Sequence, residues 1–185
     1  GRLFILSGEC DMGQGAMTML SQIVSHELDL PLSHIHVVPP DTDTAPIAIG
    51  SLAPRVTIAG GNAAIVAARM VREKLFALAS RQWSVSPEGL QLRGGFVSTT
   101  HGAERRASIA ELARLHVWTH GGEGIQVSGT WDAKTVMHDE NVYGNIAPAY
   151  SYAAQAVEVE GGVGPGRGTV GAGVALAVPG SFTST

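Results

Sequence analysis

A glycine-flanked glutamine near the start of the chain has the residue types of a ligand-binding turn. Gln14 lies between Gly13 and Gly15, after an apolar run at Leu3–Leu6 and just before a helical pattern that starts near Ala16. Glycine permits positive φ and close backbone approach, and the first N–H groups of a helix have no partner inside it. Those donors favour an anion or an electron-rich heterocycle, and a glutamine amide both donates and accepts. The same pattern also occurs in purely structural turns, so both interpretations stay open.

A second polar segment precedes the next predicted helix. Residues 41–46 are rich in Asp and Thr, and residues 50–57 bring two hydroxyls, Ser51 and Thr57, next to backbone donors at a helix start. Such a concave run of N–H groups is a second candidate cradle for an anion. The structural alternative is that Asp41 forms a turn and Thr57 caps the helix.

Metal and nucleophile chemistry has weaker support. Asp41 and Asp43 are two carboxylates without further acidic ligands, which makes a poor cage for a hard cation. His116 and His120 have i, i+4 spacing, but no HExxH pattern is present and glycines follow at once. Cys10 has no evident base beside it. We therefore assign no metal-ligating side chain and no nucleophile.

The bulk composition sets the class of molecule. The chain has 185 residues with 44% hydrophobic and 15% charged residues, enough for one domain with a buried core. The net charge of −4 gives no electrostatic case for nucleic acid or an anionic membrane, and no apolar run reaches the ~18–20 residues of a membrane span. A single cysteine, Cys10, excludes an internal disulfide and favours a reducing compartment, so we expect a cytoplasmic protein.

Periodicity predicts the elements that must position these clusters. Leu20, Ile23 and Val24 lie on one face of a helix over 16–28, with Pro31 just past its end. A long alanine-rich helix is predicted over 61–80, and its small residues indicate close packing. Further elements are a strand over 35–38, a hairpin over 90–97, a helix over 108–115, and strands over 125–127 and 152–160. Because strands and helices alternate without a βαβ rhythm, we predict an α+β fold: a mixed sheet with packed alanine-rich helices.

The last part of the chain differs in composition. Residues 161–185 contain eight glycines, no acidic residue and one charge, Arg167. This tail has little patterning from which to form a partner for the preceding strand. We therefore divide the chain into a partial domain over 1–160 and a glycine-rich, poorly ordered tail over 161–185. The chain also begins at Gly1, directly before a strand, which indicates a piece of a longer polypeptide.

Four motifs in this order resemble one family, the molybdenum hydroxylases, which include xanthine dehydrogenase and aldehyde oxidase. They are Met12–Gly15, Asp41–Thr42, the segment Gly50–Thr57 entering an alanine-rich helix, and Pro148–Tyr152 followed by a strand rich in Val and Glu. The resemblance covers residues 1–160 and corresponds to the second molybdopterin-binding region of the large subunit. The form of the third motif, Gly50–Thr57 with the helix start at residues 61–64, is most similar to the hydroxybenzoyl-CoA reductase branch.

The resemblance implies a molybdopterin cofactor carrying molybdenum, in the cytosine dinucleotide form usual in bacteria. It implies hydroxylation or dehydrogenation of an aromatic, heterocyclic or aldehyde small molecule, or reduction of an aromatic acyl-CoA. Electrons would pass through [2Fe–2S] centres and FAD on partner subunits. Carried over position by position, Met12 and Gln14 contact the pterin, and residues 51, 53 and 54 line its dithiolene and phosphate side. The implied cofactor-binding residues are Met12, Gly13, Gln14, Gly15, Ser51, Ala53 and Pro54.

Two departures from the family pattern matter. Pro54 stands where the family has Ser, and proline removes both a hydroxyl and a backbone N–H. The resemblance implies that the family's catalytic base, the carboxylate of a Gly-Glu much farther along the large subunit, lies outside the region that these residues match, so no catalytic residue is assigned and no turnover by the chain alone is expected. A frameshift or a truncated gene copy would explain this. The alternatives are a non-catalytic pterin- or nucleotide-binding or assembly module, and a decayed gene fragment.

Overall fold

The computed structural model describes residues 1–52, 55–149, 152–161 and 168–178. The chain divides into two compact units, Gly1–Ala133 and Lys134–Thr185. The first unit contains three helices and five strands among its described residues, and the second contains a two-stranded ribbon. The mixture of helices with separate small sheets confirms the predicted α+β class.

The first unit opens with a parallel βαβ crossover. Strand β1 (Leu3–Leu6) pairs in parallel with β2 (Ile35–Val38), and helix α1 (Ala16–Leu28) joins them. Helix α1 ends at Asp29, whose left-handed backbone lets its N–H reach the last carbonyls of the helix. The apolar spacing and Pro31 therefore gave correct bounds for α1. This single crossover agrees with the absence of a regular βαβ rhythm in the sequence, because one isolated βαβ unit leaves no repeating pattern.

Helix α2 (Gly61–Trp83) runs through both halves of the hydrophobic core. In its first half, Ala64 and Ala68 pack against α1 and β2; in its second half, Leu75, Leu78 and Ala79 pack against the following strands and helix. Small side chains at the first contact allow the two helix backbones to approach closely. The close packing predicted from the alanine content is confirmed. A π-helical turn, Val56–Gly60, leads directly into α2, so Thr57 lies inside helical backbone and does not cap it.

The remaining elements of the first unit form a small antiparallel sheet and a third helix. The sheet order is β3 (Leu90–Arg93), β4 (Phe96–Thr99) and β5 (Arg106–Ser108). Helix α3 (Ile109–Thr119) follows at once and is four residues longer than the predicted end at residue 115. Ser108 and Glu111 form a reciprocal capping box at its start, as the sequence predicted.

One predicted strand is wrong. Residues 125–127 form no strand; Ile125 packs against the second half of the core, and the carbonyl of Gln126 accepts a hydrogen bond of 2.7 Å from Lys74 Nζ. A segment of three alternating residues is too short to specify a strand unless the edge strand of a sheet lies beside it to pair with. Here a side chain, not a strand, supplies the hydrogen-bond donor.

The second unit contains the ribbon of β6 (Tyr152–Gly161) and β7 (Gly168–Val178), paired antiparallel with a bulge between Glu158 and Val159. We expected no partner strand from the tail, and that expectation is wrong. Every second residue of the later strand is larger than its neighbours, at Val170, Ala172, Val174, Leu176 and Val178. The period of two is concealed because four of the five alternate positions between 169 and 177 are Gly or Ala rather than polar residues. The proposed domain boundary at residue 160 stays a prediction.

Across the described residues, no helix combines the length and apolar character that crossing a bilayer requires.

Candidate functional site

The turn between β1 and α1 places its glycines in conformations that other residues rarely adopt. Gly13 has φ 103° and Gly15 has φ 80°. A Cβ placed on either glycine would have no heavy atom within 4 Å, so the face of the turn is open. Met12 at its tip is 73% exposed. The turn therefore offers an open backbone surface with one apolar side chain beside it.

Gln14 connects this turn to the second polar segment. Its Oε1 accepts a hydrogen bond of 2.6 Å from Met12 N, and its Nε2 donates to the Cys10 carbonyl at 3.0 Å and to Ser51 Oγ at 3.3 Å. Ser51 Oγ also donates to the Cys10 carbonyl at 3.2 Å. The two cradles identified in the sequence are thus in contact, through the Gln14–Ser51 hydrogen bond and through the Cys10 carbonyl that both side chains share.

Asp11 takes the donors that the sequence predicted to be free for a ligand. Its Oδ1 accepts from Gly13 N at 2.9 Å and Gly15 N at 3.2 Å, and its Oδ2 accepts from Met17 N at 3.3 Å. The hydrogen bond from Gly13 N, followed by those from the start of α1, holds the pKa of this carboxyl below its ordinary value. Of the two interpretations that the sequence left open, the structure favours the structural one for these α1 amides, because the Asp11 carboxylate accepts their hydrogen bonds.

An ion pair between a buried carboxylate and a partly exposed guanidinium lies beside the two loops. Glu9 is 7% exposed, and its Oε1 lies 3.4 Å from Arg55 Nη1. Its Oε2 is buried and has no hydrogen-bond partner among the described residues. This pair joins Glu9, three positions before the Met12–Gly15 turn, to Arg55 within the second polar segment.

The loop before the second cradle crosses the turn at Gly8. A Cβ on Gly8 would overlap the carbonyl oxygen of Pro46 and would lie 3.0 Å from the Cβ of Ala48. Asp41, at the start of that loop, accepts a hydrogen bond of 2.9 Å from Asp43 N and so forms a turn, as the structural alternative proposed. Close approach at Gly8 is what brings the loop, and with it Ser51, to the glycine turn.

Seven cofactor-binding residues were predicted, and the structure describes five of them in one place. Met12, Gly13, Gln14 and Gly15 form the turn, and Ser51 contacts it through Gln14. Ala53 and Pro54 lie outside the described residues. Sequence reasoning missed the parts played by Glu9, Asp11 and Arg55. The available signal was an acidic residue next to glycine amides at a helix start, which is a common capping arrangement.

The histidines do not join this site. The rings of His116 and His120 stack with centroids 4.0 Å apart at the end of α3. Burial, then the neighbouring His120 and Lys74, lower the pKa of His116. No group of three or more His, Cys, Asp or Glu able to hold a metal ion occurs within the described part of the chain.

Comparison with known proteins identifies the class to which this fold and turn belong. The model of the molybdopterin cofactor-binding domain family matches residues 1–176. The chain belongs to that family, whose members include parts of the large subunits of molybdenum-dependent dehydrogenases and hydroxylases. The match extends beyond residue 160 into the segment that we had separated as a tail.

Individual relatives agree with this assignment. The gamma subunit of the 6-hydroxypseudooxynicotine dehydrogenase complex of Paenarthrobacter nicotinovorans is 32% identical, over 86% of this chain and 19% of its own length. The xanthine dehydrogenase molybdenum-binding subunit of Escherichia coli O157:H7 is 31% identical, over 75% of this chain and 18% of its own length. The chain thus spans about a fifth of the length of the relatives that it matches.

Solved structures show the same fold. The Cu,Mo-dependent CO dehydrogenase superimposes with a TM-score of 0.64 at 24% identity, covering 92% of this chain and 20% of the other. Quinoline 2-oxidoreductase of Pseudomonas putida 86 gives a TM-score of 0.57 at 21% identity, covering 70% and 16%. The family match over residues 1–176 confirms the resemblance to molybdenum hydroxylases seen in the sequence, and its nearer placement in the hydroxybenzoyl-CoA reductase branch stays a prediction.

The described residues fit a flat, hydrogen-bonding heterocycle. The open side of Gly13 and Gly15 leaves room against the backbone. Gln14 Oε1 accepts one hydrogen bond, from Met12 N, and Ser51 Oγ accepts one, from Gln14 Nε2. Each oxygen therefore keeps a lone pair for a further donor. A pterin edge, which presents N–H donors beside acceptors, has matching groups at this turn.

Proposed function

We propose that this chain is part of the large subunit of a molybdenum-dependent dehydrogenase or hydroxylase, and that the Gln14–Ser51 junction holds the pterin of its cofactor. The observation that carries the proposal is the 3.3 Å contact between Gln14 Nε2 and Ser51 Oγ, which joins two loops 37 residues apart at an open glycine turn. The proposed contacts are Met12, Gly13, Gln14, Gly15, Ser51, Ala53 and Pro54.

The cofactor and the residues of the chain have different roles in this proposal. When bound, the cofactor supplies the two-electron chemistry. The chain's own residues bind and orient: Gln14 fixes the distance between the two loops, and the glycines keep the turn free of side chains. Met12 covers one side of the ligand with a flexible apolar side chain. No proton-transferring group is assigned here, and the family resemblance implies that the catalytic base is a glutamate in another part of the large subunit.

The finer features of the enzyme are also proposals. The cytosine dinucleotide form of the cofactor, and [2Fe–2S] and FAD on partner subunits, are supported by the family resemblance and by a relative that is named as one subunit of a complex. An aromatic nitrogen heterocycle is the favoured substrate class, because relatives are named for nicotine and nicotinate. The unpaired Cys10 supports a reducing compartment, which we take to be the cytoplasm.

The test is retention of the pterin by the 185-residue chain. The chain is expressed in a host that synthesises molybdopterin, and bound pterin is measured by fluorescence after oxidative release, together with molybdenum content. We expect pterin to copurify with the chain and Gln14→Ala to lose most of it, while Gln91→Ala retains it. Gln91 is a matched control because it makes an exposed 3.3 Å hydrogen bond to Ser98, away from the turn.

Two results would contradict the proposal. One is pterin retention by Gln14→Ala equal to that of the unmodified chain. The other is a folded chain that retains no pterin. We also expect no hydroxylation of nicotinate by the chain with a dye as electron acceptor, and turnover above the background of a heat-denatured sample would show that a base is present within it.

A further inference from the structure

A cleft of about 500 Å³, lined mainly by basic side chains, lies between the second half of α2 and the end of α3. Lys74 and Arg81 stand at positions i and i+7 of α2, a spacing that places them on the same face of the helix. His116 and His120 have i, i+4 spacing at the end of α3, and Glu123 lies just beyond it. The two helix segments therefore bring four basic groups and one carboxylate to a single cavity.

The two permanent cations of the cleft are not neutralised by ion pairs. Within the described part of the chain, neither Lys74 nor Arg81 is among the cations that form salt bridges. Lys74 Nζ donates to the Gln126 carbonyl at 2.7 Å, and Arg81 Nε donates to the Ala77 carbonyl at 3.2 Å. Because an ammonium and a guanidinium each carry several N–H donors, both groups retain donors for a ligand.

The electrostatic environment of the paired histidines is positive. Their rings stack with centroids 4.0 Å apart. The pKa of His116 is lowered first by burial and then by His120, Lys74 and Arg81, whereas Glu123 raises it. An anion bound in the cleft would offset the repulsion among these cations and favour the protonated form of His116.

We propose that this cleft binds a doubly charged tetrahedral oxyanion, either free phosphate or the phosphate group of a small molecule, with Lys74 and Arg81 as its permanent counter-charges. Binding is coupled to protonation of His116, whose side chain lines the same cavity. Phosphate oxygens accept charge-assisted hydrogen bonds from several donors at once. The cavity lies within the size range of small-molecule sites, which leaves room for an organic part of the ligand. None of the described pterin contacts lines this cleft, so its ligand is independent of the proposed function.

The test uses sulfate as the probe, because its charge stays constant over the range of about pH 5.5 to 7.5 in which imidazole titrates. The full 185-residue chain is titrated with sulfate at constant ionic strength, and the imidazole C–H resonances are followed by NMR. We expect saturable shifts of the His116 and His120 resonances and a His116 titration midpoint moved to higher pH. Because the anion favours protonated His116, sulfate affinity should rise roughly threefold to tenfold from the upper to the lower end of this pH range.

Two sets of variants separate binding in the cleft from general charge effects. Arg81→Gln should weaken sulfate binding roughly twofold to fivefold, whereas Arg81→Lys keeps the charge and most of the affinity. Arg93→Gln is the matched control, because Arg93 is an exposed arginine on β3 that does not line the cleft. His116→Gln should reduce the pH dependence of sulfate affinity, and His101→Gln, at an exposed histidine outside the cleft, should leave it in place. Arg81 is exposed, so its variants decide the outcome even if His116→Gln fails to fold.

Phosphate compounds distinguish the two sources of the anion at pH 7. Tighter binding of ribose 5-phosphate than of inorganic phosphate assigns the site to the phosphate group of a small molecule, and equal affinities assign it to the free anion. Ribose alone should not shift the histidine resonances.

The proposal is overturned if sulfate causes no saturable shift of the two histidines, or if Arg81→Gln and Arg93→Gln weaken its binding equally. Binding of ribose as strong as that of ribose 5-phosphate, or a sulfate affinity that does not change with pH, would likewise contradict it. Failure of the pterin-retention experiment leaves these shifts unaffected, since the probe is not the cofactor. The two proposals therefore fail separately.

Discussion

The side-chain amide of Gln14 and the hydroxyl of Ser51 meet at 3.3 Å, and both also bond to the carbonyl oxygen of Cys10. One carbonyl therefore anchors two residues that lie 37 positions apart. This junction turns two separate polar loops into one surface. Changes that loosen it should affect ligand binding more than they affect folding.

Gln14→Ala should lower the free energy of unfolding by only about 1 kcal/mol, because the lost hydrogen bonds are exposed. The same substitution should remove most of the bound pterin. Urea unfolding and pterin content, measured on the same preparation, separate the two effects. Gln91→Ala should show a similar or smaller loss of stability without loss of pterin, and equal pterin loss in both variants would assign the effect to general destabilisation.

Arg55→Met should destabilise the chain by about 3 kcal/mol, since it leaves the buried Glu9 carboxylate without its partner. Adding Glu9→Gln should restore part of that loss, because the uncompensated charge is then gone. Arg69→Met is the control: its partner Glu27 is also bonded by Arg72, so less than about 1 kcal/mol should be lost. Equal effects of the two arginine variants in urea unfolding would contradict this account.

Gly8→Ala should cost about 2 kcal/mol, because the new Cβ would overlap the Pro46 carbonyl and force the loop to move. The displacement should reach the junction and shift the side-chain amide resonances of Gln14. Gly89→Ala serves as the comparison, since a Cβ there has no heavy atom within 4 Å. An unchanged Gln14 spectrum in a destabilised Gly8→Ala chain would show that the loop crossing does not position the junction.

The capping box of α3 should make stability depend on pH in the acid range. Hydrogen bonds from the backbone and side chain of Ser108 lower the pKa of Glu111 in the folded chain. The unfolded chain therefore takes up the proton first: the stabilisation is complete above the ordinary value near 4.5 and is lost as the pH falls through the lower folded value. Urea unfolding at pH 7 and pH 3 should show this loss, and Glu111→Gln should reduce it.

The control for this pH dependence is Glu104→Gln. Glu104 is exposed and forms no hydrogen bond or ion pair with other described residues, yet the substitution changes the net charge equally. It should leave the pH dependence of the unmodified chain in place. If Glu104→Gln reduces that dependence as much as Glu111→Gln does, net charge rather than the capping box is responsible.

Local interactions explain why much of the first unit could be predicted. The start and end of α1, the strand β2, the hairpin and the capping box at Ser108 each depend on residues within a few positions of one another. Apolar spacing, proline and caps act at that range. The prediction of a strand over 125–127 was wrong because a strand needs a pairing partner, and no residue near it in the sequence could specify one.

The sequence by itself determined the family, the glycine turn and the residues available at it, because residue type and short spacing are enough for each. Only the tertiary structure decided how those residues are used. It placed Gln14 against Ser51, Arg55 against Glu9 and the carboxylate of Asp11 on the α1 amides. The first two depend on the parallel pairing of β1 with β2 and on the loop crossing at Gly8, which bring together groups 37 to 46 residues apart. The contact of Asp11 depends on the path of the backbone between Asp11 and the start of α1, because that path brings the carboxylate within hydrogen-bond distance of the helix amides. Residue types alone do not fix that path.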